Sequence, residues 1–418
     1  MCSYRLLCDS HRWGKFVSKL LDIKKCLSRP FHHPSKSFKR LFFAVMAVVV
    51  GTCGQAWAED GVGPQRIRIG MTAPLTGTNG AYGTAMRDTI EIYFKKVNES
   101  GGINGRQLQL ECLDDGYETD RAVANTHALI HDKKVFALIA SYGSSPTTEA
   151  MNKVFGPAKV PLVGTISGAD SLRGPISQNP NLRYMFNVRA SYKAETQAIV
   201  TQLTSLGLSN IALVYQDDGF GQSGFDGVKA ALAKIKLQPS AVASVPRNSV
   251  DLRAAVETVG KVNPQAVVLV TLFKPTAEFV RGMKKAGQHP QLIALSPVGA
   301  DQLIGELGED ATGIGISQVM PYPWGSRLKI IRDYQLMMNK KESDFSYYGV
   351  EAYVMAKVMS EAIRQAGKNL TREELANALE NMSNLDMDGF SVNLNPREHT
   401  GSSFVEISVI GKGGRVLR

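Results

Sequence analysis

The sequence predicts an α/β protein of two lobes, each a parallel sheet flanked by helices. Three observations carry this. Short apolar strands alternate with amphipathic helices almost without a break, which is the order of a parallel sheet covered on both faces. The alternation starts afresh after MFNVRASY (Met185–Tyr192), giving two successive layers of similar size. The loops that follow the strands are rich in hydroxyls, glycines and aromatics, and in open parallel sheets such loops gather the ligand.

In the first layer IRIGMTAPL (Ile67–Leu75) reads as a strand, and Met86, Ile90, Phe94 and Val97 recur at helical spacing behind it. LQLECLD is a second strand, Ala122–Ile130 a helix, Val135–Ser141 a strand, and Thr148–Phe155 a helix before strand Pro161–Ser167. In the second layer helix Ala194–Leu206 precedes strand NIALVYQ, and helix Phe225–Ile235 precedes strand Ala241–Val245. Helix Leu252–Val259, strand Ala266–Thr271, helix Thr276–Ala286 and strand Leu292–Ser296 continue it. A strand in GIGISQV, a long helix over Ser346–Gly367, a helix capped by Thr371 with Glu374 three residues on, and two β runs (GFSVNL and SFVEISVI) complete the chain.

Charge is distributed unevenly. The formal net charge is +10, but residues 1–58 hold ten Lys/Arg against two Asp/Glu, and the remainder 38 against 36. A nearly neutral body argues against a nucleic-acid footprint. The basic segment ends in Lys39-Arg40, an apolar run Leu41–Val50 and Ala56-Trp57-Ala58, the order of a secretory signal peptide. Cleavage is expected after Ala58. The basic stretch is longer than such signals need, which leaves open a translation start downstream of Met1. VGTC at Cys53 is a weaker match to a lipoprotein signal, with Thr52 a poor fit before the cysteine. Four of the five cysteines precede the cut, so Cys112 alone remains and reads as a small buried hydrophobe.

DDGFGQSG contains a G-x-G-x-x-G (Gly219, Gly221, Gly224) between a strand and a helix. Asp217 and Asp218 stand where a pyrophosphate would arrive, and SVPRNS, some twenty residues on, offers no ribose-binding acid, which speaks against a nucleotide. GTISG (Gly164–Gly168) misses the spacing of a nucleophile elbow. His127 and His131 lie one helical turn apart without a third ligand at suitable spacing. The pairs Asp114-Asp115 and Asp217-Asp218 read as turn braces or helix caps. No catalytic constellation, metal site or cofactor is expected. Instead Tyr82, Tyr142, Ser144, Ser145, Thr147, Ser167, Phe220 and Phe273 recur at successive strand ends, an inventory for gripping a small polar solute. Helix N-termini behind Ser145 and Ala169 would favour a carboxylate.

IRIGMTAPLTGTNGAYGTAM, followed by VNESGGINGRQLQLECLDDGYETDRAVANTHALI, resembles the type I periplasmic solute-binding proteins of ABC importers, in the branch of the leucine/isoleucine/valine-binding proteins. The likeness continues through LVYQDDGFGQSG, GISQVMPYP and YGVEAYVMAKVMSEAI. It implies a type I periplasmic binding fold with a cleft between lobes, lobe one as residues 65–189 plus 318–392 and lobe two as 190–317 plus 393–418. The chain would cross near Arg189, Ser317 and Asn393. It also implies a ligand set: Tyr82 and Phe273 as cleft aromatics, Ser144 or Ser145 on a carboxylate, Ser167 and Ala169 as donors of the next loop. Phe220 would present its ring, with Gly221 and Gly224 easing the turn into the helix. The implied role is capture of an amino acid-like or carboxylate solute by a monomer and its delivery to permease and ATPase subunits. A ligand sensor on the same fold is the alternative, and an enzyme is not expected. One departure stands out: where amino-acid binders of the family carry an acid for the ammonium, SPVGAD has Val298 or Gly299, with Asp301 displaced. A carboxylate without an α-amino group is therefore the expected ligand.

Overall fold

The computed structural model describes residues 59–339, 341, 344–383 and 385–418. The expected signal segment, its cut after Ala58 and Cys53 lie outside these. Residues Glu59–Arg418 form one compact unit.

The first sheet is parallel and five-stranded, in the order β2-β1-β3-β4-β5, with β1 Arg66–Ala73, β2 Gln107–Asp114, β3 Ala137–Tyr142, β4 Leu162–Ile166 and β5 Met185–Phe186. The second repeats that order as β7-β6-β8-β9-β10, from β6 Ile211–Asp217, β7 Val242–Pro246, β8 Ala266–Val270, β9 Gln291–Ala294 and β10 Gly315–Gln318. Alternating apolar residues wholly buried on both faces (Val267, Val268 and Leu269, for example) mark β8 as a central strand. In each sheet the order turns back between the first and third strands, and the crevice outside that point is where an open α/β sheet binds ligands.

Helices cover the faces. α1 (Gly80–Glu99) follows β1, α2 (Thr119–His127) follows β2 and α3 (Ser144–Ala150) follows β3. In the second lobe α4 (Tyr192–Ser205), α5 (Gly219–Lys234), α6 (Arg253–Gly260), α7 (Phe273–Lys285) and α8 (Ala300–Leu307) alternate with the strands. The chain then returns to the first lobe with α9 (Lys329–Met338), α10 (Tyr347–Ala366) and α11 (Arg372–Glu380). Helix α10 buries the anticipated Val350, Tyr353, Val354, Val358 and Ile363, but also Glu351 and Ser360 on other faces. Thr371 caps α11, its Oγ1 accepting the Glu374 N–H at 3.1 Å. Helix α9 was not anticipated, although Ile330, Ile331, Tyr334 and Met338 fall on one face and are buried. No helix among the described residues is long and apolar enough to cross a membrane.

The last expected crossing differs. Asn393 sits in β12 (Ser391–Asn395), which pairs antiparallel with β11 (Leu385–Asp386) and β13 (Glu398–Gly401) in a small sheet of its own. Val392 and Leu394 are fully buried, and the Asn187 N–H donates to His399 O at 3.0 Å, tying β13 to the end of β5. The chain joins the second sheet only at β14 (Glu406–Ile410), antiparallel to β10, with β15 (Val416–Leu417) at the edge.

Two glycines of DDGFGQSG have a different role from the one expected. Helix α5 begins at Gly219, six residues before the expected start, so Gly221 and Gly224 lie inside it. A Cβ at Gly221 would lie inside the Gln216 carbonyl, and one at Gly224 would overlap Val270. The glycines permit close approach of helix to sheet rather than a turn. Gly221→Ala is therefore expected to cost about 1–3 kcal/mol of stability, read as a lowered denaturant midpoint with an unchanged slope.

Candidate functional site

The loops at the carboxyl ends of the two sheets face each other; the seven residues expected to hold a ligand follow those strand ends, and Tyr82, Ser145 and Phe273 bond across to the opposite lobe. Tyr82, on the first turn of α1, is completely buried. Its hydroxyl crosses to the second lobe, donating to Val298 O at 2.7 Å and accepting the Phe273 N–H at 3.3 Å. Its ring stacks on Tyr142 at 5.4 Å, meets Phe273 edge-on at 5.6 Å and tilts against Tyr348 at 4.9 Å. Tyr117 closes on Tyr142 edge-on at 5.4 Å. Burial raises the Tyr82 and Tyr142 phenols far above their ordinary range, so both stay neutral donors.

The hydroxyls form a second group. Ser144 and Ser167 share a hydrogen bond of 2.7 Å. Ser145 Oγ accepts the Gly219 N–H from the other lobe at 2.9 Å. Thr147 instead bonds Thr165 at 3.0 Å within the first sheet. Phe220 is buried against Tyr192 with centroids 5.2 Å apart. Ala169 departs from expectation. Behind it lies only a three-residue 3-10 turn, Asp170–Leu172, and its N–H already donates to Ser167 Oγ at 3.2 Å. A small residue here, with no side chain to cap a longer turn, leaves that donor engaged locally.

Asp218 disposes of the dinucleotide motif. Its Oδ1 accepts the N–H groups of Phe220 and Gly221 at 2.9 and 3.1 Å, so a carboxylate fills the position a phosphate would need. Its Oδ2 accepts from Gln216 Nε2 at 2.8 Å and Arg247 Nε at 3.0 Å. Arg247 also reaches across the interface, donating to Thr119 Oγ1 at 2.6 Å and lying 5.1 Å over the Tyr117 ring. Beside it Asn248 bridges to Glu118 at 2.6 Å and to Asn79 at 3.0 Å. Asp114 and Asp115 brace the turn after β2. Asp115 accepts from Thr72 and the Tyr117 N–H at 2.8 Å each. Asp114, despite burial, is held down to about 2 by hydrogen bonds from Thr76, Leu75 and Gly116.

Under the aromatic group lies a buried charge cluster that sequence reasoning missed. Arg189, in the first crossing, faces Glu195 of α4 at 3.4 Å and Glu351 of α10 at 3.6 Å, and donates to Ser296 Oγ. Glu195 Oε2 accepts from the Ser317 hydroxyl at 2.6 Å and the Ser296 N–H at 2.9 Å. Arg173 donates to carbonyl oxygens of two crossings, Arg189 at 3.0 Å and Thr400 at 2.8 Å. Only the position of Glu351 within the otherwise apolar first half of α10, YYGVEAYVMA, could have signalled this. Tyr117 and Tyr348 carried no signal, being single aromatics in a turn and a helix.

The rings of His127 and His131 lie tilted against each other with centroids 4.3 Å apart, and no group of three His, Cys, Asp or Glu among the described residues could hold a metal ion. Cys112 is half-buried, its thiol pushed up to about 12 by burial. A hollow of about 390 Å³ beside Val280, Gln288 and His289 lies on the outer side of the second lobe and gathers none of the strand-end loops.

The chain belongs to the periplasmic binding protein family, whose model matches residues 66–414. Among solved structures it resembles a substrate-binding periplasmic protein from Ralstonia solanacearum, at 31% identity and a TM-score of 0.77, over 84% of this chain and 99% of that one. A possible leucine/isoleucine/valine-binding protein from Rhodopirellula baltica aligns at 28% identity and a TM-score of 0.77, covering 87% and 98%. A leucine-, isoleucine-, valine-, threonine-, and alanine-binding protein from Pseudomonas aeruginosa is 22% identical over 355 residues, 81% of this chain and 86% of its own length.

The displaced acid of SPVGAD opens α8 and has a measurable consequence. Burial pushes the Asp301 carboxyl up from 3.8 to about 7. The folded state therefore holds a proton that the unfolded state releases, and stability falls as pH rises from about 4 to about 7. Asp301→Asn removes that loss. Its melting temperature should exceed that of the parent at pH 8 and match it at pH 4; a difference independent of pH would refute the assignment.

Proposed function

We propose that the protein is the extracytoplasmic solute-binding component of an ABC importer, exported by a signal cleaved after Ala58 and acting as a monomer. The observation that carries this is the meeting of the strand-end loops of two sheets of equal topology around Tyr82, whose hydroxyl bonds the opposite lobe. Such an interface has the form of a cleft that encloses a small solute, and nothing in it resembles a nucleophile with its base. The ligand is an amino acid-like or carboxylate solute held by Tyr82, Ser144, Ser145, Ser167, Phe220 and Phe273, Ala169 being excluded because its N–H is taken by Ser167.

Closure is the functional event. The segments around 187–191, 318–321 and 402–405, between one sheet and the other, serve as hinges, and a permease with its two ATPases reads the closed form. Arg247 latches the mouth, because its guanidinium belongs to one lobe and its Thr119 partner to the other.

A thermal-shift panel of amino acids, amides and aliphatic and aromatic carboxylates, run on exported protein refolded from denaturant, tests the reading. A ligand at 100 times its dissociation constant adds about 2.7 kcal/mol, a shift of several degrees. If no solute shifts the transition, and deletion of the gene leaves uptake intact, solute capture is wrong. Arg247→Ala should weaken binding of the active compound about tenfold, equivalent to about 1.4 kcal/mol, with a wider ligand-bound radius of gyration by small-angle scattering.

A further inference from the structure

We propose that closing the lobes loads a proton onto Glu351, so that acid favours the closed arrangement over the open one. This rests on the reading of lobe closure as the functional event and adds the group that makes closure respond to pH.

The buried charges at the first crossing are unequally provided for. Glu195, on α4 of the second lobe, accepts the Ser317 hydroxyl at 2.6 Å and the Ser296 N–H at 2.9 Å, besides facing Arg189. Ser296 follows β9 and Ser317 lies in β10, so these groups travel with the second sheet. Glu351 is on α10 of the first lobe and 4% exposed. Its Oε1 stands 3.6 Å from Arg189 Nη1 and accepts no hydrogen bond. Arg173 directs its guanidinium to the carbonyls of Ser167, Arg189, Ala190 and Thr400.

With both carboxyls ionised, the charges of Glu195 and Glu351 cancel those of Arg173 and Arg189. Neutrality of the cluster does not replace missing hydrogen bonds. A carboxylate oxygen taken from water without one costs free energy even beside a cation. Burial pushes the Glu351 carboxyl up from 4.5 to about 7, against the pull of Arg189 and Arg173 and with the Glu195 charge adding to the rise. Those three groups, and the Tyr348 phenol one turn back on α10, are the ionisable groups that face it.

Separating the lobes removes the cause. Glu351 moves with α10, Glu195 with α4, and Arg189 lies in the connection between them. Rotation about that connection draws the carboxyls apart and admits water, and a hydrated Glu351 returns to the ordinary carboxyl range. The closed form then holds a proton that the open form releases. Its advantage is complete below about pH 4 and is lost as pH rises to about 7. The equilibrium constant for closure is therefore about tenfold larger at pH 6 than at pH 8.

Two amides report the opening. Phe273 and Gly219 begin α7 and α5, and their N–H groups bond Tyr82 and Ser145 of the first lobe rather than their own helices. They exchange with solvent hydrogen when the lobes part. In the exported, refolded, solute-free protein their protection, corrected for the intrinsic pH dependence of exchange, should fall about tenfold from pH 6 to pH 8. The fall should vanish in Glu351→Gln, whose amide stands for the protonated acid, and persist in Asp301→Asn. Glu351→Met, also uncharged and of similar volume, takes its place if the first variant does not fold. A flat parent profile, a fall unaltered by the Glu351 variants, or a fall abolished by Asp301→Asn would overturn the proton linkage and leave lobe closure standing. Absence of protection at every pH sinks closure itself and the inference with it.

Discussion

The arrangement of the two lobes turns on one guanidinium. Arg189 lies in the first connection between the sheets, 1% exposed, with Glu195 of one lobe and Glu351 of the other on either side. Taking such charges out of water costs several kcal/mol per ion, and the loss is offset only when partners surround them. The surrounding here is shared: Ser296 and Ser317 complete Glu195, while Arg173 binds the carbonyl of Arg189 itself. Neither lobe alone can satisfy this cluster. The crossings, the end of β10 and the start of α4 are thus held together by electrostatics rather than by apolar packing alone.

Around that fixed point the symmetry of the two sheets does the rest. Both run 2-1-3-4-5, so both turn back at the same place and offer their longest loops to the same side. The first lobe contributes rings and hydroxyls (Tyr82, Tyr142, Ser144), the second mostly backbone groups, such as Val298 O and the N–H groups of Phe273 and Gly219. Backbone groups reach a partner only where side chains leave room. Gly219 and Gly299 supply that room, since a Cβ on either would crowd Ser145 or Tyr82.

The segment DDGFGQSG shows how one spacing serves two chemistries. In a dinucleotide site the helix N-terminus is left open for phosphate. Here Asp218 closes it from within and at the same time anchors Arg247, which spans the mouth. The same carboxylate therefore excludes a phosphate and supports the contact between lobes.

The sequence by itself determined most of the elements, the two-layer order and the loops at the strand ends. Hydrophobic period and strand-end composition are local properties, each legible within ten or twenty residues. It placed Tyr82, Ser144, Ser145, Ser167, Phe220 and Phe273 just after the carboxyl ends of strands for that reason. Tertiary structure alone decided which of them meet, and what else joins them. Tyr82 finds its acceptor 216 residues away, and Arg247 its hydroxyl 128 residues away. No local pattern encodes such pairings, so Arg247, Arg173, Tyr348 and the Arg189 cluster read as ordinary residues until the lobes are packed. The third crossing was misplaced for the same reason: β12 has the alternation of any strand, and only its partners show which sheet it joins.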